Sequence, residues 1–188
     1  MKAFKVIVLF IGSLAALFLL IAFFLPKTFT LEKSILIQAP ADSVFAYVAD
    51  LKHRSEWDPW LAVEPEAQTI VFGRGEGARW EWEGTVIGKG RLTIKQITPG
   101  KSILSHVTFL SPQTGEADIS WRFDASENVT KVTWGFSMPL TYPFNRYGGL
   151  FMEKYLAPFY IRGLAKIKTI LETPPQAEIA PKNPMPSF

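Results

Sequence analysis

The feature that most constrains this chain is an apolar run near its N-terminus. From Val6 to Leu25, only Gly12 and Ser13 are not apolar. At about 1.5 Å per residue, these twenty residues would form a helix of about 30 Å, which matches the hydrocarbon core of a bilayer. A buried core helix is another interpretation, and it is disfavoured because the run is apolar all round and has no polar face. We therefore predict one transmembrane helix over residues 6–25.

A cleaved signal peptide is the alternative explanation of the same run. The apolar region of such a peptide is usually about 7–15 residues long and ends at a site with small side chains. This run is longer, and it ends in Phe23-Phe24-Leu25-Pro26, where a peptidase would need small residues. The pattern favours an uncleaved signal anchor, and cleavage stays the alternative.

The charges beside the run predict its orientation. Lys2, Lys5 and the terminal amine precede it, whereas Lys27 and Lys33 follow it together with Glu32. The small excess of positive charge before the span favours an N-terminus in the cytoplasm. We therefore expect a single-pass protein of the inner (plasma) membrane whose C-terminal domain faces the periplasm or the outside.

The rest of the chain divides into one folded domain and a short tail. Pro26 ends the apolar run with almost no linker, and five of the sixteen residues from Thr173 to Phe188 are proline. Such a proline-rich segment is typical of an extended or disordered tail. The predicted parts are a cytoplasmic N-terminus 1–5, the anchor 6–25, a folded domain 26–172 and the tail 173–188.

Hydrophobic periodicity predicts a mixed domain. Thr28 to Gln38 has the alternation of a strand, and the segment Ala39-Pro40-Ala41-Asp42 that follows has the proline and the acid that favour a helix start. From Gln68 to Ser137, apolar and polar residues alternate between turn signals, as in an antiparallel sheet with one apolar face. After Pro143 the helical period returns, and Pro158 is expected to start or kink the last helix.

The last helix has the apolar stripe needed to cover the sheet. Tyr160, Leu164, Ile167 and Leu171 share one face, and Gly163 beside them would permit a close approach of the backbone. A sheet with one apolar face must bury it against another layer. We therefore expect this helix to lie across the concave side of the sheet, with a gap between the two.

Composition excludes several classes of protein. There is no cysteine, so the chain is neither a disulfide scaffold nor a thiolate metal or redox protein. The net charge of +3 is too small and too scattered to suggest nucleic acid. His53 and His106 are the two histidines, and neither is placed for a catalytic triad. We assign no catalytic residue, metal or cofactor.

The aromatic residues on the predicted apolar faces are the main functional clue. They exceed what a core of this size needs, and the polar edges of Trp and Tyr suit an apolar pocket with a few oriented polar groups. The predicted ligand-binding residues are Trp80, Trp82, Ser105, Trp121, Trp134, Phe136, Phe151 and Tyr155.

A set of short motifs extends over nearly all of residues 27–172. They are Ala39-Pro40, Val44-Phe45, Val48, Asp50, Trp57, Pro59-Trp60, Gly75, Gly77, Trp82-Glu83-Gly84, Gly88-Lys89-Gly90, Ile94, Thr130-Lys131-Val132-Thr133-Trp134, Gly149-Leu150-Phe151-Met152 and Gly163-Leu164. Together they resemble the bacterial polyketide cyclase/dehydrase-like group of the START-like (SRPBCC) superfamily, in its membrane-anchored variety. The resemblance implies an α+β helix-grip fold, in which a curved antiparallel sheet wraps a long C-terminal helix around an apolar cavity. It also implies two short helices after the first strand, but it implies no particular reaction.

These observations predict a binding module rather than a defined enzyme. We expect a membrane-anchored extracytoplasmic domain that binds or carries an apolar or amphipathic small molecule, such as a lipid. Its partners would be that molecule and, through the N-terminal helix, the membrane. The alternative is a cofactor-independent cyclase, dehydratase or hydrolase acting on a hydrophobic substrate, with Tyr155, Ser105 and Glu81 as the first residues to test. A third possibility is an interaction module that uses the proline-rich tail.

Overall fold

The structure, a computed structural model, describes residues 2–173. It contains four α-helices, a short 3-10 turn and seven strands. In chain order they are α1 (Lys2–Phe24), β1 (Thr28–Ile37), α2 (Ala41–Ala49), the 3-10 turn Leu51–His53, α3 (Arg54–Trp57), β2 (Gln68–Phe72), β3 (Arg79–Glu83), β4 (Lys89–Thr98), β5 (Ser102–Ser111), β6 (Gly115–Ser126), β7 (Val129–Pro139) and α4 (Phe144–Glu172). Apart from Thr173, the predicted tail 173–188 lies outside the described residues.

The strands form one antiparallel sheet in the order β1-β7-β6-β5-β4-β3-β2. Alternate residues of β6 face inwards and are buried, as the period of two predicts. The central residues of β7, 132–136, are all buried, and α4 packs along the inner side of the sheet against β1. The short helices α2 and α3 follow the first strand. This arrangement confirms the α+β helix-grip fold, preceded by an apolar N-terminal helix.

Helix α4 covers the core with the stripe that its sequence predicts. Tyr160, Leu164 and Ile167 are buried, whereas Leu171 is only partly buried. The helix begins at Phe144, so Pro158 lies inside it and does not start it. The buried half of α4 therefore follows Pro158, and the exposed half precedes it.

Gly163 allows α4 to approach the sheet closely. A β-carbon at this position would lie 2.8 Å from Cζ3 of Trp134 and 3.2 Å from Cδ of Pro59. We expect Gly163→Ala to lower the free energy of unfolding by about 1–3 kcal/mol, because the added methyl group overpacks a full interior.

Gly148 provides the matched control for this substitution. It lies in the same helix, and nothing is within 4 Å of where its β-carbon would be. Gly148→Ala should therefore raise the free energy of unfolding by up to about 1 kcal/mol, as expected for replacing glycine in a helix. Urea unfolding of the full chain in detergent, followed by tryptophan fluorescence, measures the free energy of unfolding of both variants. Equal changes in Gly163→Ala and Gly148→Ala would contradict the close approach of α4 to the sheet.

Helix α1 has apolar side chains exposed on all sides. Within residues 2–173 it is the one helix long and apolar enough to cross a membrane, and Ala22 is its one buried residue. Its C-terminal end contacts the start of α4, where Arg146 donates to the carbonyl oxygens of Ala22 and Phe23 at 3.0 and 3.2 Å. A cation at this end stabilises the helix, because the last carbonyl groups carry partial negative charge.

Candidate functional site

A cavity of about 530 Å³ lies between α4 and the concave side of the sheet. Its size is within the range of about 300–1,000 Å³ that is usual for small-molecule sites. Its walls are mostly apolar. The sheet contributes Trp80, Trp82, Leu92, Val107, Ile119, Trp134 and Phe136, and α4 contributes Gly148, Met152, Tyr155, Leu156 and Tyr160.

The closed end of the cavity holds a buried ion pair. Nε of Arg54 lies 2.8 Å from Oδ2 of Asp58, and the carboxylate is fully buried. Both residues come from the segment around α3, in which the one-turn helix sets them four residues apart on the same side. The guanidinium also lies 4.4 Å from the ring centroid of Trp80, a distance at which the face of the ring attracts a cation.

Asp58 also holds the chain that follows α3. Its Oδ1 accepts hydrogen bonds from the backbone N–H groups of Trp60, at 2.9 Å, and Leu61, at 3.4 Å. The carboxylate therefore serves two purposes, because one oxygen faces Arg54 and the other caps a turn. This double attachment fixes the ion pair at the cavity wall.

Two further polar atoms at this end have no partner among the described residues. They are the hydroxyl of Tyr160 and Nε1 of Trp134, and both atoms are buried. Burial raises the pKa of the Tyr160 phenol above its usual value, so its hydroxyl stays protonated and is available as a donor. Together with Arg54, these groups make the closed end rich in hydrogen-bond donors.

The mouth of the cavity lies at the end of the sheet where α1 enters. Helix α1 ends at Phe24, and Thr28, four residues later, begins β1 and pairs with Pro139 at the end of β7. At the same end of the sheet Gly115 pairs with Phe109, and Ser111 pairs with Lys89. Exposed lining residues at this end come from the end of β5 and the β5–β6 turn, namely Ser111, Pro112, Gln113 and Thr114, and from the start of α4, namely Asn145 and Gly148.

Glu64 holds the β3–β4 turn beside the mouth. Its carboxylate accepts hydrogen bonds from the hydroxyl and N–H of Thr85, at 2.6 and 2.7 Å, and from the N–H groups of Val86 and Ile87, at 2.9 and 3.0 Å. The Thr85 hydroxyl and these N–H groups lower the pKa of Glu64 to about 2. The carboxylate is therefore ionised at neutral pH, and it fixes a turn whose Ile87 lines the cavity.

The structure brings together five of the eight predicted ligand-binding residues. Cavity-lining residues among them are Trp80, Trp82, Trp134, Phe136 and Tyr155. Ser105 and Trp121 are buried in the core but do not line the cavity, and Phe151 is exposed. Ligand binding by any of the eight stays a prediction.

Arg54 and Asp58 are site residues that the sequence analysis does not identify. They lie in a short segment without a clear period, where charged residues would ordinarily be solvated. The available signal is their spacing of four residues next to the aromatic segment Trp57-Asp58-Pro59-Trp60. Opposite charges four residues apart among tryptophans indicate a pair that is buried together.

Comparison with known proteins supports this description of the fold. Residues 28–172 match the family model described as polyketide cyclase / dehydrase and lipid transport, and no curated protein matches the chain. One similar solved structure is BexL, the di-domain ARO/CYC from the BE-7585A biosynthetic pathway, with a TM-score of 0.57 and 17% identity over 79% of this chain and 52% of that one.

Two other solved structures have a similar fold. DynU16, from the dynemicin biosynthetic locus, has a TM-score of 0.56 and 17% identity over 77% of this chain and 47% of that one. An HSP90 activator from Plasmodium falciparum has a TM-score of 0.54 and 18% identity over 78% of this chain and 98% of that one. The chain thus spans about half the length of BexL and DynU16, and identities this low show a shared fold alone.

Proposed function

The chain belongs to the polyketide cyclase / dehydrase and lipid transport family, and from that premise we propose that it is a membrane-anchored module that binds an amphipathic small molecule. In this proposal residues 6–25 are the anchor, residues 26–172 are the binding domain, and the domain lies outside the cytoplasm. The polar end of the ligand lies against Arg54, Asp58 and Tyr160, and its apolar body fills the rest of the cavity.

The cavity is the observation that carries this proposal. A volume of about 530 Å³ with mostly apolar walls suits one small hydrophobic molecule, because such sites bury most of the surface of their ligand. A domain that needed only a stable core would fill this space with side chains, since interiors are close-packed.

The donors at the closed end define the polar group of the ligand. Within residues 2–173, the hydroxyl of Tyr160 and Nε1 of Trp134 are buried without a partner, and a buried donor without a partner costs about 1–3 kcal/mol. A ligand oxygen would remove that cost. Because Asp58 already neutralises Arg54, we expect an uncharged oxygen, such as a carbonyl, a hydroxyl or the protonated carboxyl group of a fatty acid, rather than a fully charged headgroup.

The anchor and its orientation are supported by the composition of α1 and by the charges beside it. The helix is apolar on all sides, and Lys2 and Lys5 precede the apolar run. A membrane-impermeant thiol reagent tests the orientation in intact cells, because the chain has no cysteine of its own. A single cysteine at exposed Ile70 should react from outside, and protection until the cells are lysed would contradict the proposed orientation.

Native mass spectrometry tests the proposed binding directly. The full chain, purified in detergent, should carry a lipid-like mass that is absent from the detergent, and it should take up a fluorescent fatty acid. Preparations that are repeatedly empty and that fail to take up the fatty acid would contradict the proposal.

Tyr160→Phe tests the polar end of the site. The variant should bind the fluorescent fatty acid about fivefold more weakly, which corresponds to the loss of one hydrogen bond of about 1 kcal/mol. Its stability in the absence of fatty acid should stay the same or rise, because the hydroxyl is buried without a partner among residues 2–173 and a buried donor without a partner is itself a cost. Fluorescence titration measures the affinity, and urea unfolding measures the stability.

Tyr47→Phe is the matched control for this experiment. The Tyr47 hydroxyl donates to Oε2 of Glu56 at 2.9 Å, and Tyr47 does not line the cavity. The control should therefore lose about 1 kcal/mol of stability and keep its affinity for the fatty acid. If both variants bind as the unchanged chain does, Tyr160 has no role in binding.

Catalysis in the same cavity is the second candidate function, because the family description includes cyclases and dehydrases. The bound molecule would then be a hydrophobic substrate, positioned by the cavity walls beside Tyr160 and Asp58. Incubating the full chain with the molecule it carries separates the two functions. An unchanged mass and chromatographic behaviour indicate a carrier, whereas conversion to a cyclised or dehydrated product indicates an enzyme.

A further inference from the structure

We propose that the first turns of α4 are a membrane-docking surface, which places the mouth of the cavity at the bilayer interface beside α1. This docking surface consists of Tyr142, two residues before α4, and of Phe144, Tyr147, Leu150 and Phe151 in its first two turns. The proposal rests on the proposed function, since it requires α1 to span a membrane. Its occupant is the boundary between lipid headgroups and acyl chains.

The docking surface has the composition of an interfacial helix and not of a soluble one. Phe144 and Phe151 are 73% and 71% exposed. Phe144, Tyr147 and Phe151 are spaced by three and four residues, so their side chains share one face of α4. At 3.6 residues per turn this face is about 160° from Tyr160, whose face of the helix is buried. An apolar face opposite the core needs a second covering layer.

Contacts with α1 set the depth of the docking surface. The Tyr147 hydroxyl donates to the carbonyl oxygen of Phe18 at 2.6 Å, and the two rings stack with centroids 4.5 Å apart. Tyr142 donates to the carbonyl oxygen of Leu19 at 3.0 Å. Phe18 lies about 9 Å before the end of α1 at Phe24, given a rise of about 1.5 Å per residue. The first turn of α4 therefore lies level with the last two turns of the apolar helix.

That depth matches the interface of the bilayer. When a helix spans a membrane, its last turns lie where tyrosine rings are enriched, with an apolar body on one side and a hydroxyl on the other. Arg146 adds a long cationic side chain at the same level, bound to the carbonyl oxygen of Phe23, where such side chains extend towards the headgroups. Phe144 packs against Phe18, so the apolar surface of α1 continues directly onto α4.

The same geometry directs the cavity mouth towards the lipid. Asn145, Gly148 and Tyr155 line the cavity from α4, and they are close neighbours of the docking-surface residues in the same half of the helix. The sheet-side part of the mouth lies where β1 begins after α1 and β7 ends. A lipid-soluble ligand would then pass between bilayer and cavity without crossing bulk water.

Depth-dependent fluorescence quenching tests this proposal on the full chain. Because the chain has no cysteine, single-cysteine variants Phe144→Cys, Phe151→Cys, Ile161→Cys and Leu14→Cys can each carry one NBD label. Each is reconstituted in vesicles of phosphatidylcholine and phosphatidylglycerol, with and without nitroxide-labelled acyl chains. Ile161 is the matched control, because it is 56% exposed on the same helix but lies outside the docking surface.

The labels at Phe144 and Phe151 should be quenched about threefold more strongly than the label at Ile161, because interfacial residues lie about 5–10 Å into the headgroup and acyl boundary. Leu14 reports the anchor separately. If the Leu14 label is quenched but the labels at Phe151 and Ile161 are quenched equally, α1 spans the membrane and the proposed docking surface is wrong. No quenching at Leu14 overturns the anchor and with it the docking surface.

A second copy of the chain is the other occupant that this experiment detects. In that case the emission of the Phe151 label would shift with the ratio of protein to lipid and would be insensitive to nitroxide lipid. That result would also overturn the proposed docking.

Discussion

Replacing Asp58 by alanine should lower the free energy of unfolding by about 3–5 kcal/mol, because the change leaves a buried guanidinium without its carboxylate. Arg54 is 7% exposed, and Asp58 is its one ion-pair partner among the described residues. The substitution also removes the acceptor for the backbone N–H of Trp60. Urea unfolding of the full chain in detergent, followed by tryptophan fluorescence, measures the loss.

A double variant separates the charge from the packing. Arg54→Met with Asp58→Asn removes both charges, keeps similar volumes and leaves an amide oxygen to cap Trp60. Its stability should return to within about 1–2 kcal/mol of that of the unchanged chain, since an apolar replacement of a buried ion pair is often neutral. If the double variant lost as much stability as the single variants Arg54→Met and Asp58→Asn lose in sum, the two side chains would not act as a pair.

The same double variant links this ion pair to function. If Arg54 and Asp58 are retained only for the fold, the neutral variant should bind the fluorescent fatty acid as tightly as the unchanged chain does. If they hold the polar end of a ligand, affinity should fall while stability is kept. A buried charge pair is weak evidence for stability by itself, so we expect the second outcome.

The strands could be predicted from the sequence because their signal is local. Trp80 and Trp82 alternate with Arg79 and Glu81. The period of two places both tryptophans on one face of the strand, independently of distant parts of the chain. In the structure both tryptophans are buried, whereas Arg79 and Glu81 face the other way and lie near each other. The apolar stripe of the last helix then predicts that this helix covers the sheet, and the resemblance to a known family implies the same helix-grip arrangement.

The two ends of α4 show where such patterns become ambiguous. Tyr160 with Leu164 and Phe144 with Phe151 both have helical spacing, and spacing alone does not tell which pair faces the core. In the structure the first pair is buried and the second is exposed. The difference arises because the first turns of α4 lie beside α1, a contact between segments more than a hundred residues apart. The sequence contains no local sign of that contact.

The closed end of the cavity could not be predicted for a different physical reason. Arg54 and Asp58 lie in a helix of one turn, which is too short to have a hydrophobic period. Their burial depends on Trp57 of α3 and Trp80 of β3, whose ring centroids lie 5.2 and 4.4 Å from the guanidinium of Arg54. Such an environment exists only after the sheet and α3 have packed together.

Replacing Gly115 by phenylalanine should abolish binding of the fluorescent fatty acid while leaving the fold intact. Gly115 lies on the inner side of β6 and lines the cavity. A β-carbon there would meet only ordinary contacts, 3.7 Å from Cε of Met138 and 3.9 Å from Cδ2 of Phe109. The new ring therefore has space to enter, and the space it takes is that of the ligand. We expect affinity to fall about a hundredfold, or about 2.8 kcal/mol at 1.4 kcal/mol per decade.

Gly90→Phe is the control that distinguishes a filled cavity from a disturbed core. Gly90 is also a glycine on an inner strand face, but a β-carbon there would overlap the Trp82 ring, its cross-strand neighbour. This variant should lose about 1–3 kcal/mol of stability through overpacking, whereas Gly115→Phe should unfold at the same or a higher urea concentration, because glycine weakens a strand. Fluorescence titration and urea unfolding of both variants measure the two effects. Full affinity in a folded Gly115→Phe variant would mean that the fatty acid binds elsewhere, because the ring and the ligand cannot occupy the same volume.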